Sequence, residues 1–454
     1  MAALDSKHAS GRLLAALDEM DLRALSRSLS QELRERSVTF GGADGGTVEA
    51  FVVDPVPRVI ERDEWEVLAS GLAQRAEALE RFVADVYGER RIVAAGHVPW
   101  SAIESAEFYE PRMAQLPPAT GRWITIAGLD LVRDGDGPFL VLEDNVRTPS
   151  GIAYAVAARE ALSGHLSVPD GIRVRSLEPG YEWLGEALRA AAPPEAGDHP
   201  SVVVLTDGPS NSAYYEHGAI ARRLGLALVR PEDLSVRSGR LFAHTDDGIV
   251  AVDVVYRRTD EDRLFDDAGT PTRLAEMLLG PLEAQTLGCV NAFGTGVADD
   301  KLVHIYVEEM VRFYLDEEPL LGSVPTHDLS QPGVLEMTLE RIGELVVKPR
   351  SGHGGIGVVV GPRADPQALA EVSRDLAAAP ERFIVQETVH LSRQPTVCGD
   401  ELEPRHVDLR PFTFAVGDRV EVFPGGLTRV ALERDSLVVN SSQRGGAKDT
   451  WVLA

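Results

Sequence analysis

The sequence predicts a mixed fold, α+β with an α/β subdomain, behind a mainly helical N-terminal region. Three stretches predict it. SVVVLTDG, YYEHGAIARRLG and LALVRP follow one another as strand, helix and strand, the order of a βαβ unit in a Rossmann-like sheet. WITIAGLDLVR, DGDG and PFLVLEDN read as a β-hairpin over residues 123–145. Segments 9–36 and 63–87 carry apolar residues at helical spacing, among them Leu68, Leu72, Leu79, Phe82 and Val83. At 454 residues the chain is too long for one hydrophobic core, so two or three domains are expected.

The remaining elements follow in order. Between the helical segments, SVTFGGADGGTVEAFVVDPVPRVI predicts a strand, a Gly-rich turn and a second strand ending at its prolines. A helix begins near Ile152, and residues 185–197 read as a helix running into a linker. IVAVDVVYRR predicts one strand over 249–258, and 300–317 reads as helix. Residues 344–361, ELVVKPRSGHGGIGVVVG, predict a strand, a Gly-rich loop and a second strand. A short helix (ADPQALAEVSRDLAAA) and a strand (RFIVQETV) follow, and the tail, 402–454, alternates strands with polar loops. The first turn of the βαβ unit, DGPSNSAY, is not GxGxxG, which argues against a dinucleotide site there.

Composition excludes several classes. The chain is 44% hydrophobic and 26% charged, as a folded globular protein is. No apolar run of roughly eighteen residues occurs, so no transmembrane helix is expected. The charged N-terminus lacks the apolar core of a signal peptide, and a cytoplasmic protein is expected. Cys289 and Cys398 form no CxxC or Cys/His cluster, which argues against zinc and against a disulfide framework. A net charge of −26 repels nucleic-acid phosphate, yet it leaves room for ATP, which needs only a local cluster of cations. The histidines form no HExxH or i,i+4 pair; His353, in the Gly-rich loop, is the one to watch.

Three constellations carry chemistry. In the hairpin's second strand, alternation puts Phe139, Val141, Glu143 and Asn145 on one face, and Leu140, Leu142 and Asp144 on the other. With Asp136-Gly137 as a two-residue type I′ turn, Asp130 lies opposite Glu143, with Cβ atoms roughly 5 Å apart. Asp130, Glu143 and Asn145 then converge as oxygen ligands for a hard cation such as Mg2+, and Asp144 faces away as a structural or solvent contact. The second constellation is VVKPRSGHGGIG: Lys348 ends an apolar strand, and Gly352, Gly354, Gly355 and Gly357 let backbone N–H groups approach phosphate. It is not GxxxxGK[ST]. In the third, RFIVQETV ends a strand at Gln386 and Glu387, where main-chain groups can read an adenine edge and an acid can accept a ribose hydroxyl.

Together these parts resemble an ATP-grasp site. VLEDNVRTPSG looks like the family's metal-binding Glu-x-Asn-x-Arg segment, but it precedes the lysine and hinge segments instead of following them. That order resembles the circularly permuted ATP-grasp proteins, the group that includes glutathionylspermidine-synthase-like enzymes. DGPSNSAYYEH, VDVVYRR, NAFGTGVADDK, VVKPRSGHGG, HVDLRPF and NSSQRGGAKDTW resemble the bacterial type 2 members from about Leu22 onward. The resemblance implies the following roles. Lys301 and Lys348 contact the nucleotide, Gly354 and Gly355 cover the phosphates, and Gln386 and Glu387 hold adenine and ribose. Asp130, Glu143 and Asn145 bind magnesium, and Arg147 stabilises the transferred phosphoryl group. Arg444 departs from the pattern, since relatives tend to carry glycine there. The implied division is a helical region at 1–95, a core segment with the hairpin at 96–185, a Rossmann-like substrate subdomain at 186–300, a lid at 301–395 and a return to the core at 396–454.

Other polar residues are weaker candidates. Arg257 and Arg258 end one strand, and Arg410 follows another; arginines there can bind carboxylate or phosphate as a fork. Ser210, Asn211 and Tyr214 follow the first Rossmann-like strand, at the carboxyl end where open α/β sheets bind ligands. The expected activity is ATP-dependent joining of a carboxylate to an amine through an acyl phosphate, the amine coming from an amino acid, a polyamine or a peptide. A kinase on the same fold and a nucleotide-binding regulator without turnover are the alternatives.

Overall fold

The computed structural model describes residues 9–41, 48–259, 263–266, 268–352, 357–434, 439 and 445–454. The N-terminal segment is two helices, α1 (Ala9–Asp18) and α2 (Leu22–Glu35), where periodicity suggested one. Asp21 separates them by accepting the Ala24 N–H at 2.8 Å, an N-cap that starts a new helix. Strand β1 (Val53–Ile60) runs through Pro55 and Pro57 instead of ending at them. It is an edge strand, where a missing N–H removes nothing the sheet needs. Helix α3 (Arg62–Val86) buries Trp65, Leu68, Leu72, Leu79 and Phe82 on its core face.

The hairpin follows as β2 (Ile126–Arg133) and β3 (Phe139–Asn145), then helix α4 (Ile152–Ser163). The βαβ unit is β4 (Val202–Thr206), α5 (Tyr214–Leu224) and β5 (Ala227–Val229). Residues 249–258 are two strands, not one. Gly248–Val252 belongs to an antiparallel sheet, and β6 (Val254–Arg258) belongs to the parallel one. Asp253 makes the break: its carboxylate accepts Ser201 N–H at 2.9 Å and Arg240 at 2.8 Å. With β7 (Gly288–Val290), the parallel sheet has the order β7-β6-β4-β5. All five residues of β4 are buried, each aliphatic one contributing about 1.5–3 kcal/mol.

Beyond helix α6 (Val307–Leu315) come β8 (Gly322–Ser323), β9 (Thr326–His327), β10 (Leu345–Pro349), β11 (Val359–Val360), α7 (Pro366–Ala378) and β12 (Phe383–Glu387). The last strands are β13 (Phe412–Val416), β14 (Arg419–Val422), β15 (Thr428–Val430) and β16 (Gly446–Val452). The central sheet has the order β8-β3-β2-β13-β14, so the hairpin lies in its middle. A small antiparallel sheet, β9-β12-β10-β11, packs Leu345, Val347 and Val385 against Val372 and Leu376 of α7. Strand β16 runs parallel to β1, tying the last strand to the first long one. Among the described residues, no helix is long and apolar enough to cross a membrane.

Candidate functional site

The hairpin register decides what its acids can do. Asp130 pairs with Glu143, as alternation and turn geometry suggested, but by another route. The tip turns at Asp134–Gly137, where Gly137 N–H reaches Asp134 O at 2.8 Å and Gly135 takes φ +54°. Pairing therefore starts with Arg133 opposite Phe139, one step away from the type I′ register. A bulge at Leu142 then restores Asp130 to Glu143. The bulge also resets the faces. Asp144 is buried along with Phe139 and Val141, whereas Leu140, Leu142, Glu143 and Asn145 are each partly exposed. Phe139 and Val141 thus do not share the face of Glu143, as strict alternation had placed them.

Asp144 is a buried structural ion, 3% exposed. Arg75 of α3 grips it with Nε at 2.7 Å and Nη2 at 2.8 Å, and His304 Nδ1 lies 2.6 Å from its second oxygen. Burial, the largest single influence, would raise its carboxyl pKa, but the charge and hydrogen bonds of Arg75 together with those of His304 hold it well below the usual range. Asp130 is likewise saturated. Arg410 binds it with Nε at 2.5 Å and Nη2 at 2.7 Å, and Arg429 binds it at 2.6 Å. Arg429 also grips Asp408, and these arginines overcome burial to hold the Asp130 carboxyl well down.

Glu143 and Asn145 differ from both aspartates. Among the described residues, Glu143 Oε2 and Asn145 Oδ1 accept no hydrogen bond; Asn145 Nδ2 donates to Asp130 at 3.3 Å. A carboxylate and an amide oxygen on one strand face suit a magnesium ion that takes its other ligands from nucleotide phosphates. Asp130 does not join them while Arg410 and Arg429 fill both its oxygens, and no group of three or more His, Cys, Asp or Glu among the described residues could hold a metal. Of the three expected metal ligands, the structure places Glu143 and Asn145 beside Asp130, whose oxygens are held by Arg410 and Arg429. Arg410 is spent on Asp130 and on the Ser150 carbonyl at 3.3 Å, so it does not project freely.

The small sheet supplies the facing wall. Lys348, buried near the end of β10, reaches across to Glu143 Oε1 at 3.3 Å. Burial pushes the Glu143 pKa up, but the charges of Lys348 and Lys301 bring it below its ordinary value. Lys301 Nζ donates to Gly352 O at 2.9 Å and Arg350 O at 3.4 Å, at the root of the Gly-rich loop. Gly354, Gly355 and His353 lie outside the described residues, as does Arg444. Arg147 packs over Phe108, 3.6 Å from the ring centroid, and donates to Asp299 at 2.8 Å.

Gln386 and Glu387 take opposite faces of β12. Ile384 pairs with Lys348, so Gln386, two residues on, shares the lysine's face; it is buried and donates to Thr326 Oγ1 at 2.9 Å. Glu387 pairs with Leu345 on the other face, where Arg341 binds it with two nitrogens at 3.0 Å each and His327 lies at 3.0 Å. Just past this strand, a cavity of about 510 Å³ opens between the small sheet and the hairpin tip. Gly135, Asp136, Arg363, Thr388, His390 and Arg393 line it.

At the Rossmann-like sheet, both strand-end arginines are buried. Arg258 is buried, pairs with Glu216 at 3.3 Å, and donates to Pro149 O at 2.8 Å and to Ser150 Oγ. Glu216 also accepts the N–H groups of Gly151 and Ala153 at 2.9 Å, which caps α4. Gly151 adopts φ +135°, a backbone that side-chain-bearing residues rarely take. Arg258 is thus a joint between the parallel sheet and the segment after the hairpin. Arg257 is 1% exposed and lies 4.5 Å over Phe293; its Nε and Nη1 have no hydrogen-bond partner among the described residues. Of the other candidates, Ser210 is exposed, Asn211 accepts Ala213 N–H at 3.0 Å within its own turn, and Tyr214 opens α5.

Several residues at the site were not singled out from sequence. Arg75, Asp299, Asp300, His304, Asp408 and Arg429 are among them, and so is Asn291. Asn291 accepts Thr125 and Ile126 N–H at 2.8 and 2.9 Å and donates to Ile126 O and Val146 O at 2.6 and 2.7 Å. It stitches together the outer ends of β2 and β3. Asp299 and Asp300 had a signal, two acids directly before Lys301; Arg75 and Arg429 had none.

Comparison with known proteins agrees with this architecture. Over 417 residues the chain is 46% identical to an uncharacterized protein of Synechocystis sp., covering 90% of this chain and 86% of that one. It is 45% identical over 440 residues to a Frankia casuarinae protein named "Putative glutamate--cysteine ligase 2-2", covering 95% of this chain but only half of that longer protein. The structure of a glutathione synthetase-like effector from Globodera pallida superposes with a TM-score of 0.61 at 10% identity, covering 95% of this chain and 97% of that one, a likeness of fold alone. Residues 57–431 match the family described as circularly permuted ATP-grasp type 2, and the chain belongs to that family.

Proposed function

We propose that the chain is an ATP-dependent carboxylate–amine ligase. The observation that carries this reading is the seam where Lys348 of the small sheet meets Glu143 of the hairpin at 3.3 Å, with Asn145 two residues on from Glu143, Arg147 just past the hairpin and Lys301 on the Arg350 carbonyl. Opposed cationic and acidic walls suit a triphosphate with its cation. The small sheet is then a lid, and the 510 Å³ cavity past Gln386 and Glu387 is the seat of the nucleoside.

In the first step a carboxylate oxygen of the substrate attacks the γ-phosphorus of ATP. The bond from that phosphorus to the β,γ-bridging oxygen breaks, and ADP leaves. In the second step an amine nitrogen attacks the acyl carbon, phosphate departs with the former carboxylate oxygen, and the nitrogen gives up a proton. Lys348 and Lys301 neutralise phosphate charge, and Arg147, held by Asp299 and Phe108, faces charge that develops on the moving phosphoryl group. Glu143 and Asn145 would hold magnesium, which supplies Lewis-acid withdrawal of charge from the phosphates. Closure of the lid on the hairpin excludes water, which would otherwise hydrolyse the acyl phosphate. The amine is that of an amino acid, peptide or polyamine, and a net charge of −26 favours the approach of a cation. The Frankia relative's printed name agrees with ligase chemistry, although this chain spans half of that protein.

The test is ADP release from MgATP in a matrix of small carboxylates and amines. Release that requires both partners and yields an amide supports the reading. Release with a phosphate acceptor alone identifies a kinase, and no release above the buffer rate with any pair removes the enzymatic reading.

A further inference from the structure

One short segment, Asp299 to His304, reaches both sides of the seam. Asp299 accepts Val146 N–H at 2.6 Å and Arg147 Nε at 2.8 Å, fixing the stretch just past β3. Asp300 grips Arg350 Nε with both oxygens, at 2.8 and 2.9 Å, where β10 leaves the small sheet. Lys301 caps the carbonyls of Arg350 and Gly352. His304 meets Asp144, which Arg75 anchors to α3. Arg350 is itself buried and also donates to Ala102 O at 2.6 Å and Ser105 Oγ at 2.7 Å. A small apolar contact of Ala102, Leu302 and Ile384 lies beside it. Four neighbouring side chains thus bind the hairpin, the small sheet and the helical region. Residues 322–327 join the two walls along the far edge, pairing with β3 and with β12, and the 299–304 cluster joins them at the end of β10 beside Lys348.

We propose that Asp300 and its partner Arg350 are positioning residues, fixing the height of the small sheet above the hairpin and with it the affinity for nucleotide. This deepens the ligase reading and rests on it for the role of the seam. Asp300 touches no part of the seam itself; it acts through Arg350, two residues beyond Lys348. Its Oδ1 also accepts the N–H groups of Leu302 and Val303 at 2.9 and 3.3 Å. Asparagine can keep those two bonds while losing the charge that holds Arg350. Asp300→Asn therefore separates positioning from local folding.

The experiment uses the full chain and four proteins: wild type, Asp300→Asn, Arg350→Lys and the double variant. The first readout needs no nucleotide. Hydrogen exchange should quicken by at least about tenfold in β10 and β12 of Asp300→Asn and stay unchanged in α3 and β2. The second readout is steady-state ATP turnover. KM for MgATP should rise by about tenfold, with kcat within about threefold and the melting temperature within a few degrees. The double variant should be no worse than the poorer single one, as for two halves of one contact. Exchange that quickens everywhere, an unchanged KM in a folded variant, or additive effects would overturn the proposal. If the wild type binds no MgATP, the ligase reading fails instead, and the exchange pattern still decides whether Asp300 holds the sheet.

Discussion

The two walls of the seam are built differently. On the hairpin wall, Asp130 and Asp144 each lie buried in the grip of arginines, with Asp408 sharing Arg429. On the lid wall, Lys348 has one ionic contact among the described residues, to Glu143 across the seam, and Lys301 rests on backbone carbonyls. Charged hydrogen bonds with several partners fix a rigid surface. A single contact to a partner on the opposite wall can be exchanged for a ligand. The hairpin wall is thus a floor whose ions belong to the fold, and the lid wall is the surface whose cations, on the proposed reading, would take an anion. Glu143 and Asp144, adjacent in sequence, fall on either side of that division.

The largest expected effect breaks the floor. Asp144→Asn leaves Arg75 buried without its carboxylate, and breaking such a pair costs about 3–5 kcal/mol. The measurement is denaturant unfolding, and a loss below about 1 kcal/mol would mean that Asp144 is not the floor's anchor. Acid supplies a second check. Asp144 and Asp130 have folded-state pKa values below their unfolded ones, so their stabilisation is complete above the ordinary carboxylate range and is lost as pH falls below about 4. Asp144→Asn should therefore flatten the acid limb of the stability curve. Glu143→Gln is expected to do the reverse. The side chain keeps its size and is a third exposed, so stability should hardly change. Magnesium loses a charged ligand, and turnover should fall by about 3 kcal/mol, roughly a hundredfold. Were Glu143→Gln to unfold the protein and Asp144→Asn to cripple a folded one, the division of the two acids would be reversed.

What the sequence showed and what it hid follow the same line. Glu143, Asn145 and Lys348 could be singled out as candidates because a strand's alternation and a glycine-rich turn are local signals. The pairing of Asp130 with Glu143 was legible only because two departures cancel, a turn displaced toward Asp134 and a bulge at Leu142. The floor was not legible. Arg75 lies 69 residues from Asp144, and Arg429 lies 299 from Asp130, so nothing in local periodicity joins them. An arginine within a long helix reads as a solvent-facing charge until the strand it meets is known. Arg258 misled for the same reason, since Glu216, 42 residues away, closes what a strand end alone would leave open.

Ligand binding sharpens the comparison from the other side. If the lid's cations await a nucleotide, MgATP at about a hundred times its dissociation constant should stabilise the chain by roughly 2.7 kcal/mol. ATP without magnesium should give much less, because Glu143 then faces the phosphates with no cation between. Thermal unfolding with ATP and either magnesium or a chelator measures the difference. Equal shifts would remove Glu143 and Asn145 as metal holders.

The smallest effect is the most diagnostic for the lid. Lys348 is 7% exposed, and among the described residues its one ionic partner is a carboxylate a third open to solvent. A buried ammonium with so little compensation is costly to the folded state. Methionine keeps the length and apolar stem of the side chain without that cost, so Lys348→Met should leave the melting temperature unchanged or raise it. Glu143 keeps the nearby charge of Lys301, which limits the penalty on the floor. The triphosphate, however, loses one of its two nearby lysines. Affinity for MgATP should fall about tenfold, close to 1.4 kcal/mol, as measured by calorimetry. A variant that melts many degrees lower yet binds MgATP as before would place Lys348 in the scaffold with Arg75 and Arg429, and the two walls would then be alike.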